Sequence, residues 1–316
     1  MLPQYNTQEL IANIKRRCFV PTSQLTYTDE GFTDLANDTL QGEVVPLLMS
    51  TREEYFVTYE DVFSTASGVM PLPKGTVASK VRSICYVQQT SPLVLINLPR
   101  IDLDIVAGVG FNNFNTLAGF YLQGNNFVLY PNSSVPVGTT LRVYYYKRAL
   151  NLAAPAEYGR VVAVDSGAST IQLDALPFDW EVGTTVNSVS SEPGFDVTNA
   201  EMTISVVSSP TITVDTVEDV EVGDYISMMG YSAIPQVPIE AQWYLAQLTA
   251  AKCLEGLGDE SGMIAALKKA ETLKDGLLVM LSQRVDGSVK KIMNPTGGLR
   301  LGSGLGIWGR AGRAGY

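Results

Sequence analysis

The sequence predicts an α+β protein in which a helical bundle, formed by the N- and C-terminal helices, carries a large β-rich insertion. Helical periodicity occupies residues 1–63 and returns in 236–293, whereas residues 64–235 are rich in glycine, proline and β-branched side chains. Of the 316 residues, 46% are hydrophobic and 17% charged, so the chain can build packed cores in two or three domains. Residues 294–316 are glycine-rich and predict an extended C-terminal arm.

Residues 1–63 predict the N-terminal helices of the bundle. Asn6, with Glu9 three residues later, fits a capping box. Four apolar side chains then share one helical face: Leu10, Ile11, Ile14 and Cys18. A second helix is expected to be kinked or ended by Pro46. The following stretch STREEYFVTYEDV is expected to resume as a helix that runs towards Val62.

Two β units, of the small barrel or sandwich type, are predicted at residues 64–151 and 152–235. Strand candidates in the first unit are Ser83–Gln88, Leu93–Ile96, Gly119–Gln123, Phe127–Tyr130 and Leu141–Tyr146, with Asn125–Asn126 as a hairpin turn. In the second unit, TIQLDALPFDWEVGTTV at Thr170–Val186 resembles TITVDTVEDVEVGDYI at Thr211–Ile226. This weak repeat indicates either a duplication or hairpins that converged on the same turn chemistry.

Residues 236–293 predict the C-terminal helices of the bundle, and the arm follows them. Its 23 residues contain eight glycines, which disfavour a helix or a core. Apolar and basic side chains spaced by glycine suit a segment that lies extended on a partner and fills its pockets. The candidate contact residues are Leu299, Arg300, Leu301, Leu305, Ile307, Trp308, Arg310, Arg313 and Tyr316. A dispensable tail is the alternative.

The residue inventory argues against an enzyme. The chain has no histidine and only three widely separated cysteines, which removes Ser-His-Asp and Cys-His nucleophile pairs and most zinc sites. Asp102 and Asp104 could act as a carboxylate pair, but their apolar neighbours predict a strand from which both point to solvent. We therefore expect no catalytic residue, no metal site and no cofactor, with a carboxylate-based hydrolase as a distant alternative.

Charge is distributed unevenly along the chain. The formal net charge is −10, yet residues 260–316 carry nine basic and four acidic side chains, which leaves −15 on the other 259 residues. Residues 1–259 therefore form an acidic body that repels nucleic-acid phosphates, while the basic C-terminal end suits an acidic partner. The sequence contains no apolar run near the roughly 20 residues of a membrane helix, and it starts without a signal-peptide pattern. We expect a protein of the reducing cytoplasm with no membrane partner.

Three segments carry a resemblance to a known family. They are EVVPLLMSTREEYFVTYEDV at Glu43–Val62, GFYLQGNNFVLYP at Gly119–Pro131 and IPQVPIEAQWYLAQLTAAKCLEGLGD at Ile234–Asp259. Together with the bracketing helices and the glycine-rich end, they make the chain resemble the head-to-tail adaptor (connector or neck) proteins of tailed bacteriophages. The resemblance covers most of the chain as a pattern, and the double β insertion exceeds the minimal helical adaptor.

The resemblance implies a virion structural protein that is assembled in the host cytoplasm. Copies of the chain would form a homo-oligomeric ring, usually a dodecamer, between the portal protein and further neck or tail proteins. Double-stranded DNA would pass through the ring without sequence-specific binding, and the arm would dock on the portal. Arg52, Glu53 and Glu54 would bridge neighbouring subunits, with an ordinary exposed helix surface as the alternative.

The rival interpretation is a tail, baseplate or fibre-associated structural protein whose β modules bind a surface carbohydrate. The aromatic clusters at Tyr144–Tyr146 and Phe111–Phe120 have side chains suited to stacking on sugar rings. A receptor binder, however, is more often a trimer that ends in its β domain. A mass measurement with and without a portal separates the two classes.

Overall fold

The computed structural model describes residues 5–19, 27–102, 119–131, 135–177, 179–192 and 197–282. Helices at both ends and a β-rich middle confirm the predicted α+β class. The helices are α1 (Thr7–Cys18), α2 (Asp29–Thr39), α3 (Val45–Thr51), α4 (Ile239–Gly256) and α5 (Glu260–Leu281), with a π-helical turn at Leu40–Val44 and a 3-10 turn at Glu53–Phe56.

The strands form four groups. A four-stranded sheet has the order β1-β7-β3-β4, with β1 (Val57–Phe63), β3 (Thr76–Thr90), β4 (Leu93–Leu98) and β7 (Thr140–Lys147). A three-stranded sheet has the order β2-β6-β5, with β2 (Val69–Pro71), β5 (Gly119–Gln123) and β6 (Asn126–Tyr130). A closed barrel has the order β10-β13-β12-β11-β14-β9, with β9 (Tyr158–Asp165), β10 (Thr170–Leu173), β11 (Thr185–Val189), β12 (Val197–Ser208), β13 (Thr211–Val214) and β14 (Tyr225–Met228). A parallel pair joins β8 (Asn151–Leu152) to β15 (Tyr231–Ser232).

Helices from both ends of the chain share one hydrophobic core. Asn6 caps α1 as predicted, since its Oδ1 accepts a hydrogen bond from the Glu9 N–H at 2.8 Å. The buried face of α1 packs with α2 and α4, and α4 is buried around most of its circumference. The backbone N–H of Thr7 donates to the Ala233 carbonyl at 2.8 Å, so α1 begins beside the segment that leads into α4.

A π-helical turn accommodates Pro46. The backbone N–H of Val45 donates to the carbonyl of Leu40, five residues earlier, and proline then occupies the first turn of α3. A missing N–H is tolerated there because first-turn donors have no intrahelical partner. The predicted kink at Pro46 is thus realised as a local change of helix type between α2 and α3.

The predicted helix towards Val62 is wrong, because Val57–Phe63 is strand β1. Arg52 leaves the helical region (φ −147°, ψ 72°) and ends α3. β1 then pairs along its whole length with β7, from Val57 opposite Tyr146 to Phe63 opposite Thr140. The β-branched and aromatic residues of β1 favour this extended pairing over the helix that the charged residues before it favour.

The two sheets of the first β unit pack face to face around a common core. All five strand candidates of this unit lie in strands. The hairpin turn between β5 and β6 is one residue earlier than predicted, at Gly124–Asn125, because Asn126 already pairs with Gln123. Gly124 has a φ of +59°, which glycine adopts at little cost, and this glycine fixes the register of the turn.

The barrel consists of two copies of one three-stranded unit, β9-β10-β11 and β12-β13-β14. β10 and β13 pair antiparallel, so that Thr170 faces Thr213 and Gln172 faces Thr211. In the repeat, Thr170 corresponds to Thr211 and Gln172 to Thr213. The two facing pairs are therefore related by a two-fold rotation. Each β-hairpin also has a register shift at the equivalent place. The weak sequence repeat therefore folds as a structural repeat with a pseudo-two-fold axis between β10 and β13.

An aspartate closes the same turn in both halves of the barrel. Asp174 Oδ1 accepts hydrogen bonds from the backbone N–H groups of Arg160 and of the next residue in sequence, both at 2.7 Å. Asp215 Oδ1 accepts from the N–H groups of Thr203 and of its own next residue, both at 2.9 Å. The repeat thus extends from strand register to individual hydrogen bonds.

Candidate interaction surfaces

The predicted arm contacts lie outside the described residues, so their role stays a prediction. They are Leu299, Arg300, Leu301, Leu305, Ile307, Trp308, Arg310, Arg313 and Tyr316. Asp104 and most of the aromatic cluster that ends at Phe120 also lie outside. Helix α5, which leads towards the arm, exposes 74% of Val279 and 66% of Met280 in its last turn. The last turn of α5 therefore presents an exposed apolar surface.

The three predicted subunit-bridging residues lie at the junction between α3 and β1. Glu53 is occupied within its own subunit, because its Oε2 forms an ion pair with Lys80 Nζ at 3.1 Å. The hydrogen bond from Lys80 lowers the pKa of the Glu53 carboxyl group. Glu54 is exposed, and Arg52 is half-buried at the end of α3. Glu53 and Glu54 lie in the 3-10 turn at Glu53–Phe56, and the subunit-bridging role of the three residues stays a prediction.

The aromatic run at Tyr144–Tyr146 does not form an open sugar-stacking platform. Tyr145 and Tyr146 are only 7% and 4% exposed, and Phe120 is 4% exposed. The third tyrosine, Tyr144, lies on the outer face of the four-stranded sheet, where its ring centroid is 5.8 Å from that of Tyr59. Of the described aromatic residues of the predicted carbohydrate surface, Tyr145, Tyr146 and Phe120 are therefore buried.

An arginine spans the outer face of the same sheet. Arg142 Nε donates to Asp61 Oδ1 and Arg142 Nη2 to Asp61 Oδ2, both at 2.8 Å. The guanidinium carbon also lies 4.1 Å from the centroid of the Tyr59 ring. The arginine lowers the pKa of the Asp61 carboxyl group through these hydrogen bonds. The bidentate pair ties edge strand β1 to β7.

A groove of about 500 Å³ opens at the C-terminal end of α1, beside α4 and the start of α5. Arg16, Arg17 and Lys269 line it together with one acidic residue, Asp259. The Asp259 carboxylate is engaged in the turn before α5, where it accepts from the Gly262 N–H at 2.9 Å, and this bond lowers its pKa. The groove is therefore net positive.

Phe19 stands at the rim of this groove. It ends α1 in the left-handed region (φ 52°), and 90% of its side chain is exposed. Arg17 is held in place, since its Nη1 donates to Gln247 Oε1 at 2.6 Å and its Nε to Asn13 Oδ1 at 2.8 Å. An exposed aromatic ring beside fixed cations is a surface suited to an acidic partner.

The negative charge of the chain is concentrated in the barrel unit. Residues 152–235 contain thirteen acidic side chains and one basic one, Arg160, for a net charge of −12. The remaining 232 residues contain 21 basic and 19 acidic side chains, for a net charge of +2. The acidic body expected from the sequence is thus one β unit, and the rest of the chain is almost neutral.

Within the described residues, no group of three or more cysteine or carboxylate side chains could hold a metal ion. Cys18 and Cys253 lie in the helical core, where Cys18 donates to the Ala250 carbonyl at 3.4 Å. The hydrogen bond with Cys253, together with burial, raises the pKa of the Cys18 thiol. None of the helices in the described ranges has both the length and the hydropathy required of a membrane span.

The sequence matches no protein-family model and no curated protein.

Proposed function

We propose that the chain is a head-to-tail adaptor, a structural protein of the phage neck that forms a ring between the portal and the tail. The carrying observation is that helices from both chain ends share one core while two β units are inserted between them. The resemblance implies this arrangement, with the helices acting as the bundle that forms the base of the ring.

The two ends of the helical core differ in charge, which suits a connector that meets different proteins on its two sides. α1 begins at Thr7, whose N–H donates to the carbonyl of Ala233 in the barrel unit, which has a net charge of −12. It ends at the groove lined by Arg16, Arg17 and Lys269. A subunit with one acidic end and one basic end orients itself between unlike neighbours, because like charges disfavour the reversed arrangement.

The proposed DNA channel fits the charge of the barrel. Phosphates bind to basic surfaces and are repelled by acidic ones, so a channel wall made from the barrels would let DNA pass without holding it. The C-terminal arm, with Arg300, Arg310 and Arg313, would instead bind an acidic surface of the portal. Leu299, Leu301, Leu305, Ile307, Trp308 and Tyr316 would be its anchors.

The experiment that tests this function is deletion of residues 294–316, followed by mixing with purified portal rings. Because the described core contains none of these residues, the truncated protein should keep its circular dichroism spectrum and melting temperature. It should lose attachment to the portal in mass photometry. Trp308→Ala in the full chain should weaken attachment to the portal by about 2 kcal/mol or more if the Trp308 side chain is a buried anchor. A Ser303→Ala variant in the same segment serves as the matched control.

Two outcomes would contradict the proposal. Unchanged portal binding by the truncated chain would remove the arm as the docking element. A stable trimer that ignores the portal and binds glycans would favour the rival fibre-associated function. A defined ring that forms on the portal, with the full chain only, is the expected result.

A further inference from the structure

The four-stranded sheet has two open edges. Among the described strands, β1 has a neighbour only on its β7 side and β4 only on its β3 side. The outer backbone N–H and C=O groups of such strands are available to another chain. Natural proteins usually protect edges of this kind with charges, proline or a covering segment.

Strand β4 lacks a protecting charge. Its sequence is LVLINL, and it exposes 50% of Leu93, 37% of Val94 and 44% of Ile96. Six uncharged residues of this type form an edge that readily accepts another strand. This edge is therefore open to a partner strand.

Strand β1 is a fitting partner in length and in charge. It has seven residues against the six of β4, and it exposes 53% of Tyr59 and 66% of Phe63. Glu60 and Asp61 also lie on β1, so pairing of two β1 strands would bring like charges together. An uncharged strand such as β4 avoids that repulsion.

The strand directions agree with this pairing. Each of the three neighbouring pairs in the sheet is antiparallel, so β1 and β4 run in opposite directions. Rotation about a ring axis preserves the direction of a strand relative to that axis. In a ring, the β1 of the next copy would therefore lie antiparallel to β4, as every neighbour already does within the subunit.

We infer that a second copy of this chain covers the β4 edge, with β4 of one subunit pairing antiparallel with β1 of the next. This inference rests on the proposed ring and names the surface by which its copies meet. Repeated around a closed ring, the contact leaves no open edge and joins the sheets into a continuous belt. A two-fold β4–β4 contact would instead leave both β1 edges open.

One such contact is small. A pair of strands six residues long buries less than the roughly 1,200 Å² typical of stable, specific interfaces. The contact is therefore expected to be weak between free subunits and to form when the portal holds several copies side by side. This agrees with a subunit that stays dispersed until its docking partner is present.

Cysteine cross-linking on the assembled complex tests the pairing. Glu60→Cys places a thiol on β1 and Ile96→Cys places one on β4, on the same side of the sheet. The three native cysteines are buried, so the unmodified chain is the control for background reaction. With a short bismaleimide, the double variant on portal rings should give a ladder of covalent oligomers. Each single variant should give none, and a mixture of the two single variants should give dimers.

A charged variant tests the edge in the same cross-linking assay. Val94→Lys puts a charge on the open edge and should abolish the ladder in the Glu60→Cys/Ile96→Cys background while leaving the subunit folded. Val162→Lys is the matched control, because Val162 is also exposed, at 49%, but belongs to β9, a strand of the closed barrel that has a neighbour on each side. It should leave the ladder unchanged.

The outcomes separate the edge pairing from the proposed function. A portal-bound ring in which the double variant does not cross-link overturns the pairing and leaves the adaptor function standing. Dimers from Ile96→Cys alone overturn it in favour of a two-fold β4–β4 contact. Failure of the chain to bind portal rings at all overturns both.

Discussion

The two aspartates that close equivalent turns of the barrel provide a quantitative test of its internal repeat. Asp174 accepts backbone hydrogen bonds at 2.7 Å and 2.7 Å, and Asp215 accepts them at 2.9 Å and 2.9 Å. Both side chains are exposed, so replacement by alanine leaves no cavity. Asp174→Ala and Asp215→Ala should therefore destabilise the protein by similar amounts, because each removes the same pair of bonds.

The expected size follows from two opposing effects. A hydrogen bond contributes a net of about 1 kcal/mol, so each substitution should lower the free energy of unfolding by about 2 kcal/mol. Removing a carboxylate also relieves repulsion in a unit of net charge −12. For exposed charges about 10 Å apart in water that repulsion is about 0.4 kcal/mol per pair before salt screening. The lost hydrogen bonds therefore dominate, and both variants should be less stable.

Urea unfolding at neutral pH, read by circular dichroism, measures these changes. The midpoints of both alanine variants should fall while the slope stays constant. Asp174→Asn and Asp215→Asn are the controls, because an amide oxygen still accepts the N–H groups; they should lose about half as much or less. Midpoints that do not move would refute the stabilising role of these hydrogen bonds, and an alanine loss in one half of the barrel only would refute the equivalence of the two turns.

Three further outcomes are expected from the geometry. Gly159→Ala should cost about 1–3 kcal/mol in urea unfolding, because a Cβ there would lie 2.4 Å from the Ala175 carbonyl oxygen; no loss would contradict that contact. The Asp61–Arg142 coupling, measured by a double-mutant cycle, should be about 0.5–1 kcal/mol at pH 7. Since the folded pKa of Asp61 is depressed, this stabilisation should disappear as pH falls from about 4 to below that pKa, and a pH-independent coupling would contradict the assignment. Burial raises the pKa of Tyr158 to about 12, above the ordinary value of about 10. The free energy of unfolding should therefore fall as pH rises from about 10 to about 12, because the unfolded chain loses the Tyr158 proton first. A Tyr158→Phe variant should lack this part of the alkaline decline in stability.

Local sequence signals predicted the parts of the fold that local chemistry determines. The Asn6 cap, the strand alternation of the first β unit and the recurring turn residues of the barrel each depend on neighbours close in sequence. The repeat was ambiguous between duplication and convergence because the sequence shows turns but not pairing. Thr170 facing Thr213 in the barrel resolves the pairing as a two-fold structural repeat.

Long-range pairing explains what the sequence did not show. Val57–Phe63 follows a segment of good helix formers, and only the presence of β7, more than 75 residues later, makes it a strand. The ion pair between Glu53 and Lys80 depends on the same long-range arrangement. Open edges on β1 and β4 were likewise hidden, since strand order is not a property of any single segment. The arm candidates remain predictions from composition.

The location of the charge decides which surface of the proposed ring can repel DNA. Residues 1–259 carry a net charge of −15, and the barrel unit at residues 152–235 accounts for −12 of it. Electrostatic repulsion between exposed charges is largely screened beyond about 8 Å at physiological ionic strength. The remainder of the chain sums to a net charge of +2. In the proposed ring the barrels are therefore the unit whose net charge would repel DNA most strongly where they face the channel.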